Sequence, residues 1–417
     1  MTNRAGPVAA PDRIVSLDVL RGVALLGILL MNIQSFAMPS DAYLNPTAYG
    51  DLTGANRWVW LVVHLLADQK FISIFSMLFG AGILLIAERV GPERATRIHY
   101  RRMVVLLVFG LIHAHVLWSG DVLYTYAICG MFVYLARRLT PKQLIVTGLA
   151  LHAVSSVIFI GYAILLRDAP AEVITQVTND NWLAPPAEMA REIAAYRGGW
   201  GAQQTFRGPD ATGMETFIFL IDFAWKTSGL MLVGMALYKL DVLSARLSDS
   251  FYRRMMVLGF GVGLPVIAYG VWRDFATGWG VVYSLFIGYQ FNYWGSALVA
   301  LGWTGLVMLV VRSGGLPGVQ RRLAAVGRTA FSNYILQTLF GIAIFYGTGL
   351  GLFGHVDRVG QLLIVFAIWA VQLTVAPVWL RHFEFGPLEW LWRSLTYGKA
   401  QPMRRPAMPS AELTPLR

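Results

Sequence analysis

Two histidines and a carboxylate sit within nine residues of otherwise apolar sequence. The stretch reads Leu111-Ile112-His113-Ala114-His115-Val116-Leu117-Trp118, turns at Ser119-Gly120 and restarts with Asp121. An imidazole held and charge-stabilised by a carboxylate is what a general base requires. The tight turn lets a histidine in the last helical turn reach Asp121. His113 and His115 lie about 200° apart around a helix, so one cavity is served by one of them. His113 is the candidate base, His115 the alternative, and interhelical hydrogen bonding is the plain structural reading of either.

Asp18 and Arg21 are three residues apart and share a helix face. They form either a structural ion pair or, through Arg21, a binding site for a phosphate-bearing ligand, with Arg94, Arg97, Arg101 and Arg102 adding charge to the same mouth. Asn32 closes the first apolar segment and Lys70 opens the second, where either can donate to a developing oxyanion or to an acceptor. Lys70 can equally snorkel to head groups. Asp222 and Lys226, four apart, read as a structural pair, and Asn333, Tyr334 and Gln337 put polar groups on nearly one face. His64 reads as wet surface. No HExxH, CxxC or GxSxG pattern occurs, and the glycines at 347, 349, 351 and 354 lead into no GKS/T. Metal hydrolysis and a serine-triad elbow therefore have no support, and no metal is expected.

The elements that position these groups must be membrane helices. Of 417 residues 56% are hydrophobic and 14% charged, against about 25% charged in soluble domains. A crossing needs about 20 apolar residues. Ten segments qualify: 15–36, 70–88, 101–118, 121–138, 142–166, 214–239, 252–272, 290–312, 325–349 and 359–381. The stretches 57–67 and 276–289 read as interfacial lead-ins. Arg4 and Arg13 precede the first segment, which Asp18 and Arg21 interrupt, so it reads as an uncleaved helix rather than a secretory signal. With the N-terminus inside, twenty-four Lys and Arg fall in inside loops and seven outside, which predicts N-in and C-in. The net charge of +11 thus sets orientation and calls for no nucleic acid. Cys129, the one cysteine, reads as a packing residue.

The expected fold class is all-α, polytopic, about ten spans, one transmembrane domain over 1–398. Residues 167–213 form an external insert between spans five and six. Residues 383–398 form an amphipathic helix on the cytoplasmic face, and 399–417 a disordered cytoplasmic tail. No internal repeat is evident, which weakens a transporter built from inverted halves.

The run from Arg13 through Asp18-Val19-Leu20-Arg21-Gly22 to Ile33 resembles the first helix of the bacterial YeiB-like membrane proteins, a family of unknown function. So do Lys70-Phe-Ile-Ser-Ile-Phe-Ser-Met-Leu-Phe-Gly-Ala-Gly, the segment from Gly110 to Gly130, Gly327-Arg-Thr-Ala-Phe-Ser-Asn-Tyr-Ile-Leu-Gln and Phe385-Gly-Pro-Leu-Glu-Trp-Leu-Trp-Arg-Ser-Leu-Thr-Tyr-Gly. The first helix is also similar to that of the transmembrane acyltransferases, which include heparan-alpha-glucosaminide N-acetyltransferase. That resemblance implies an inner-membrane enzyme moving an acyl group, acetyl above all, from cytoplasmic acyl-CoA to an external hydroxyl or amine of a small molecule, glycan or lipid, with a histidine as base or acyl carrier. The sugar O-acyltransferase branch places that histidine near the end of helix one, where this chain has Asn32, so His113 takes its place here, with Asp121. Arg21 and Asp18 are then the acyl-CoA-binding residues, and Asn32 and Lys70 the oxyanion donors. A carrier or flippase-like protein with a buried proton relay, and a non-catalytic scaffold, are the competing classes. Homo-oligomer formation stays open.

Overall fold

The computed structural model describes residues 14–405. Arg4, Arg13 and Arg417 of the orientation count, and the tail beyond 405, lie outside them. Among the described residues the chain is helical with no strand, and one isolated bridge pairs Phe383 with Arg404. Residues 399–405, expected to be unstructured, thus return along 383–384, where Glu384 N–H donates to the Met403 carbonyl at 2.9 Å.

Among the described residues eight helices are long and apolar enough to cross a membrane: Val15–Ala37, Gly54–Val90, Pro92–Leu117, Pro141–Leu166, Trp200–Lys239, Asp249–Ala276, Val282–Arg312 and Arg358–His382. The first is α1. The second joins α2 (Gly54–Leu66) to α3 (Lys70–Val90) through a break at Ala67–Gln69, where Gln69 adopts φ 63°. The stretch expected as a separate interfacial helix thus joins span two in one apolar stretch, interrupted only by this break. Next come α4 (Pro92–Ile112), continued by a π-helical turn over His113–Leu117, and α5 (Leu123–Val133). Then follow α6 (Pro141–Leu166), and α7 (Ala171–Asn181), α8 (Pro186–Arg197) and α9 (Trp200–Gly213) of the insert. A π-helical stretch, Met214–Phe223, leads into α10 (Ala224–Lys239). After α11 (Asp249–Ala276), the π-helical Val282–Gly288 opens α12 (Tyr289–Arg312). The chain closes with α13 (Pro317–Arg328), α14 (Ala330–Phe345), α15 (Arg358–His382) and α16 (Pro387–Tyr397).

Two expected spans are shorter than the sequence pattern promises. Segment 121–138 is eleven α-helical residues plus a 3-10 turn at Tyr134–Arg138. Segment 325–349 divides at Thr329, leaving α14 with 16 residues. Outward faces remain apolar: Val157, Ile164 and Leu165 on α6, Val257 and Leu258 on α11 and Leu363 on α15 are all exposed. Apolar area of this extent suits a bilayer and not water.

Close backbone contact with α13 fixes the helix that carries Asp18 and Arg21. A Cβ on Gly22 would stand 2.0 Å from the Leu323 carbonyl oxygen, and one on Gly327 1.9 Å from that of Asp18. Small residues at such crossings let membrane helices pack on dispersion alone. At α14 the exposed amide groups of the first turn are met by Glu389 from α16, which accepts Phe331 N–H at 2.6 Å and Ser332 N–H at 3.1 Å. This carboxylate does the work of a helix cap from a distant segment. Burial pushes its pKa above the ordinary glutamate value, against those hydrogen bonds.

The insert seats itself through a buried acid. Glu192 on α8 accepts Ser40 N–H at 3.0 Å, and burial, with Asp210 and Asp41 adding to it, pushes its carboxyl up to about 7. A carboxyl raised on folding contributes stability that is full below its unfolded value of 4.5 and is lost as pH rises through about 7. Amide protection in 186–197, taken relative to the intrinsic exchange rate at each pH, is therefore expected to be greater at pH 5 than at pH 8. Glu192→Gln, neutral at both, should erase that difference.

Candidate functional site

His113 is 2% exposed, at the point where α4 passes into its π turn. Such turns shift the side-chain register and recur at functional sites. Its Nδ1 lies 2.7 Å from Asp121 Oδ1. Asp121 Oδ2 accepts Tyr124 N–H at 2.9 Å, so the carboxylate also caps α5. The turn between the helices is tight because they nearly touch: a Cβ on Gly110 would stand 2.3 Å from Tyr124 N. His113 Nε2 lies 3.0 Å from Thr338 Oγ1 on α14. With the Nδ1 proton on the Asp121 side, Nε2 is left to accept the Thr338 hydroxyl. The set is a carboxylate–imidazole–hydroxyl relay. The sequence reading missed Thr338, although it stands four residues beyond Tyr334 on the same helical face.

His115 turns away. Its Nε2 meets Glu215 Oε2 at 3.0 Å and its side chain is 38% exposed, so the choice between the two histidines falls to His113. The insert secures this end of the helix, since Trp200 Nε1 donates to the Val116 carbonyl (3.1 Å) and the buried Arg207 to that of Leu117 (3.3 Å).

A cavity of about 270 Å³ runs beside this relay. At one end it is rimmed by Arg21, Arg89, Arg102, Arg328 and Arg393, all half-buried, with Asp18, Glu384 and Glu389. Arg21 Nη1 pairs with Asp18 Oδ1 at 3.1 Å. Arg102 lies 4.0 Å above the Trp392 ring, whose Nε1 donates to the Arg102 carbonyl, so α16 closes over the rim. Farther in, the walls are Leu25, Ile28, Phe75, Phe79, Tyr126 and Tyr334. Tyr334 touches both compartments: it lines the cavity and packs on the His113 ring at 5.2 Å between centroids, while its buried hydroxyl completes no hydrogen bond. His113 itself does not line the cavity.

The other expected site residues lie elsewhere. Asn32 is half-buried on α1 and absent from the cavity wall. Lys70 is fully buried, but its ammonium is taken up by the Asn292 Oδ1 and the His64 carbonyl, both at 2.6 Å. The break at Gln69 turns it toward α12 rather than toward His113. His64, expected on wet surface, instead pairs with Asp68 at 3.1 Å and stacks on Trp60. Asp222 and Lys226 do pair, at 3.9 Å, with Ser155, Gln69 and Tyr289 as further partners. Gln337 joins Gln372 and, through it, Asn333, tying α14 to α15. Among the described residues no group of three His, Cys, Asp or Glu could hold a metal ion.

Fold and site together define a multi-pass helical membrane protein with a buried relay next to an arginine-rimmed cavity. Sequence comparison places it further. The chain is 33% identical over 402 residues to the uncharacterized protein YeiB of Escherichia coli (strain K12), covering 94% of this chain and 98% of that one. It is 28% identical to the uncharacterized protein YxaH of Bacillus subtilis (strain 168), over 96% and 98% of the two chains. It is 25% identical to an uncharacterized 39.9 kDa protein encoded in an amylase 3' region of Bacillus acidopullulyticus, over 95% and 97%. Residues 237–399 match the family described as a protein of unknown function, DUF418. The chain belongs to the YeiB-like family.

Proposed function

We propose that this protein is a membrane-embedded acyltransferase of the bacterial inner membrane. It takes an acyl group, acetyl above all, from cytoplasmic acyl-CoA and passes it to a hydroxyl or amine presented at the insert end. The observation that carries this reading is the cavity, with guanidinium groups at its rim and an apolar barrel ending at the Tyr334–His113 contact. Phosphates suit the arginines, with Arg21 held ready by Asp18, and the pantetheine arm suits the barrel, whose volume is too small for the whole cofactor. Tyr334, not anchored through its hydroxyl, turns aside to join the thioester to His113. His113 Nε2 then takes the proton from the acceptor as the acceptor attacks the thioester carbonyl. The C–S bond breaks and the leaving thiolate recovers the proton, while Asp121 keeps Nδ1 protonated throughout. Asn32 and Lys70 have no part in this version. The charge asymmetry of the loops supports N-in and C-in, and the broken segments 123–138 and 330–345 complete a ten-crossing topology.

A carrier is the second reading. It is favoured by the break at Ala67–Gln69 and the buried Asp68, Lys70, Asp222 and Lys226 around it, since interrupted helices with intramembrane charge mark transport pathways. One experiment separates the two. Acetyl-CoA at saturating concentration is expected to raise the melting temperature of the purified protein by several degrees, and Arg21→Ala to remove most of that rise. No rise with the wild type would set acyl transfer aside in favour of the carrier.

A further inference from the structure

A second, smaller compartment of about 40 Å³ lies between α2, α11 and α12, under Trp182 of the insert and the loop residues Tyr43 and Leu44. That volume holds roughly three waters. Trp279 Nε1 at its wall has no hydrogen-bond partner, and Asp274 Oδ1 and the Ser284 hydroxyl have none beyond each other. Polar atoms left incompletely satisfied in a dry interior are costly, so their coincidence at one pocket points to a guest that satisfies them. Asp274 is 9% exposed and has no ion-pair partner among the described residues. The cations nearby are spent, since Asp68 and Asp222 face Lys70 and Lys226 in a charge-balanced network. Of the other polar wall residues, His64 and Asn292 pair with Asp68 and Gln69 with Lys226, and the rest of the wall is aliphatic and aromatic. Trp60, Trp182 and Trp279 line the pocket, with ring centroids of Trp60 and Trp279 5.7 Å apart and those of Trp182 and Trp279 6.5 Å apart. Trp279 is held at φ 57°, a left-handed conformation that bulky residues rarely adopt.

From these groups we infer that the pocket binds the ammonium end of a small amino alcohol, with the charge on Asp274 and among the indole faces and the oxygen on Trp279 Nε1 or Ser284. An unpaired carboxylate beside three indoles is a cation site by charge and by cation–π attraction. The unmatched donor next to it asks for an oxygen on the same molecule. The same chemistry occurs in free ethanolamine and in a phosphatidylethanolamine headgroup. This inference is independent of acyl transfer at His113.

The test is an ethanolamine titration of the full-length protein in phosphatidylglycerol nanodiscs, read by tryptophan fluorescence and melting temperature, with uncharged ethylene glycol as the matched control. A saturable response to ethanolamine alone is expected. It should vanish in Asp274→Asn and weaken about tenfold in Trp279→Phe, the scale of a desolvated cation–π contact. In phosphatidylethanolamine nanodiscs, loss of the response means that the headgroup occupies the site, and an unchanged response means that the free amine does. No saturable response in the wild type, an equal response to ethylene glycol, or an unaltered one in Asp274→Asn would overturn the inference.

Discussion

Replacing His113 by alanine is expected to abolish acyl transfer while leaving expression and acetyl-CoA-induced stabilisation intact. The imidazole is the one group linking Asp121 to a hydroxyl on another helix, and both of its nitrogens are committed. Asp121→Asn should lower turnover by about 10⁴, the loss seen when an orienting carboxylate no longer fixes the histidine tautomer. It should also loosen α5, because the same carboxylate caps the Tyr124 amide. His115→Ala should leave the rate unchanged, its partner being Glu215 near the outside of the bundle. The check is a radiolabelled acetyl-transfer assay in membrane vesicles. Full turnover in His113→Ala would remove the histidine from the mechanism.

The second large effect is structural and lies 214 residues away in sequence at the other end of the cavity. Gly327→Leu should prevent correct folding, because even a Cβ at this position would overlap the Asp18 carbonyl oxygen, at 1.9 Å, with backbone on both sides of the contact. Overpacking that flexible side chains can relieve costs about 1–3 kcal/mol; here α1 and α13 must separate, and Arg21 leaves the rim with them. Gly22→Ala should act in the same direction more mildly. Fluorescence-detected size exclusion of the two variants measures the outcome, with aggregation or loss of the monodisperse peak expected for Gly327→Leu.

The chemistry-bearing spacing was legible where it was local. His113 to Asp121 spans one tight turn, and Asp18 to Arg21 one helical turn, so short-range geometry alone brings each pair together. Family motifs had a physical meaning that a single sequence hid. The glycine after Arg21 and the glycine opening the 327 motif meet each other's helices, and the glutamate of the last motif caps α14. Thr338 escaped notice because its role depends on α14 packing beside α4, a contact 225 residues apart. Lys70 was misplaced for a similar reason. Hydropathy gave a single onset for span two, whereas the left-handed Gln69 redirects the chain and hands Lys70 to Asn292. Hydropathy also ran two short helices together with their 3-10 and interfacial neighbours, which no apolar window separates.

The account's central claim is that one passage connects the arginine rim to the histidine relay. A cryo-EM map of the protein in nanodiscs with a non-transferable acetyl-CoA analogue tests it most directly. The expected result is nucleotide density among Arg21, Arg102 and Arg393, with the pantetheine arm running past Phe79 and Tyr126 to a displaced Tyr334 and an acyl carbon within reach of His113. Density at the rim with Tyr334 unmoved and the arm directed into lipid, or no density at all, would contradict it.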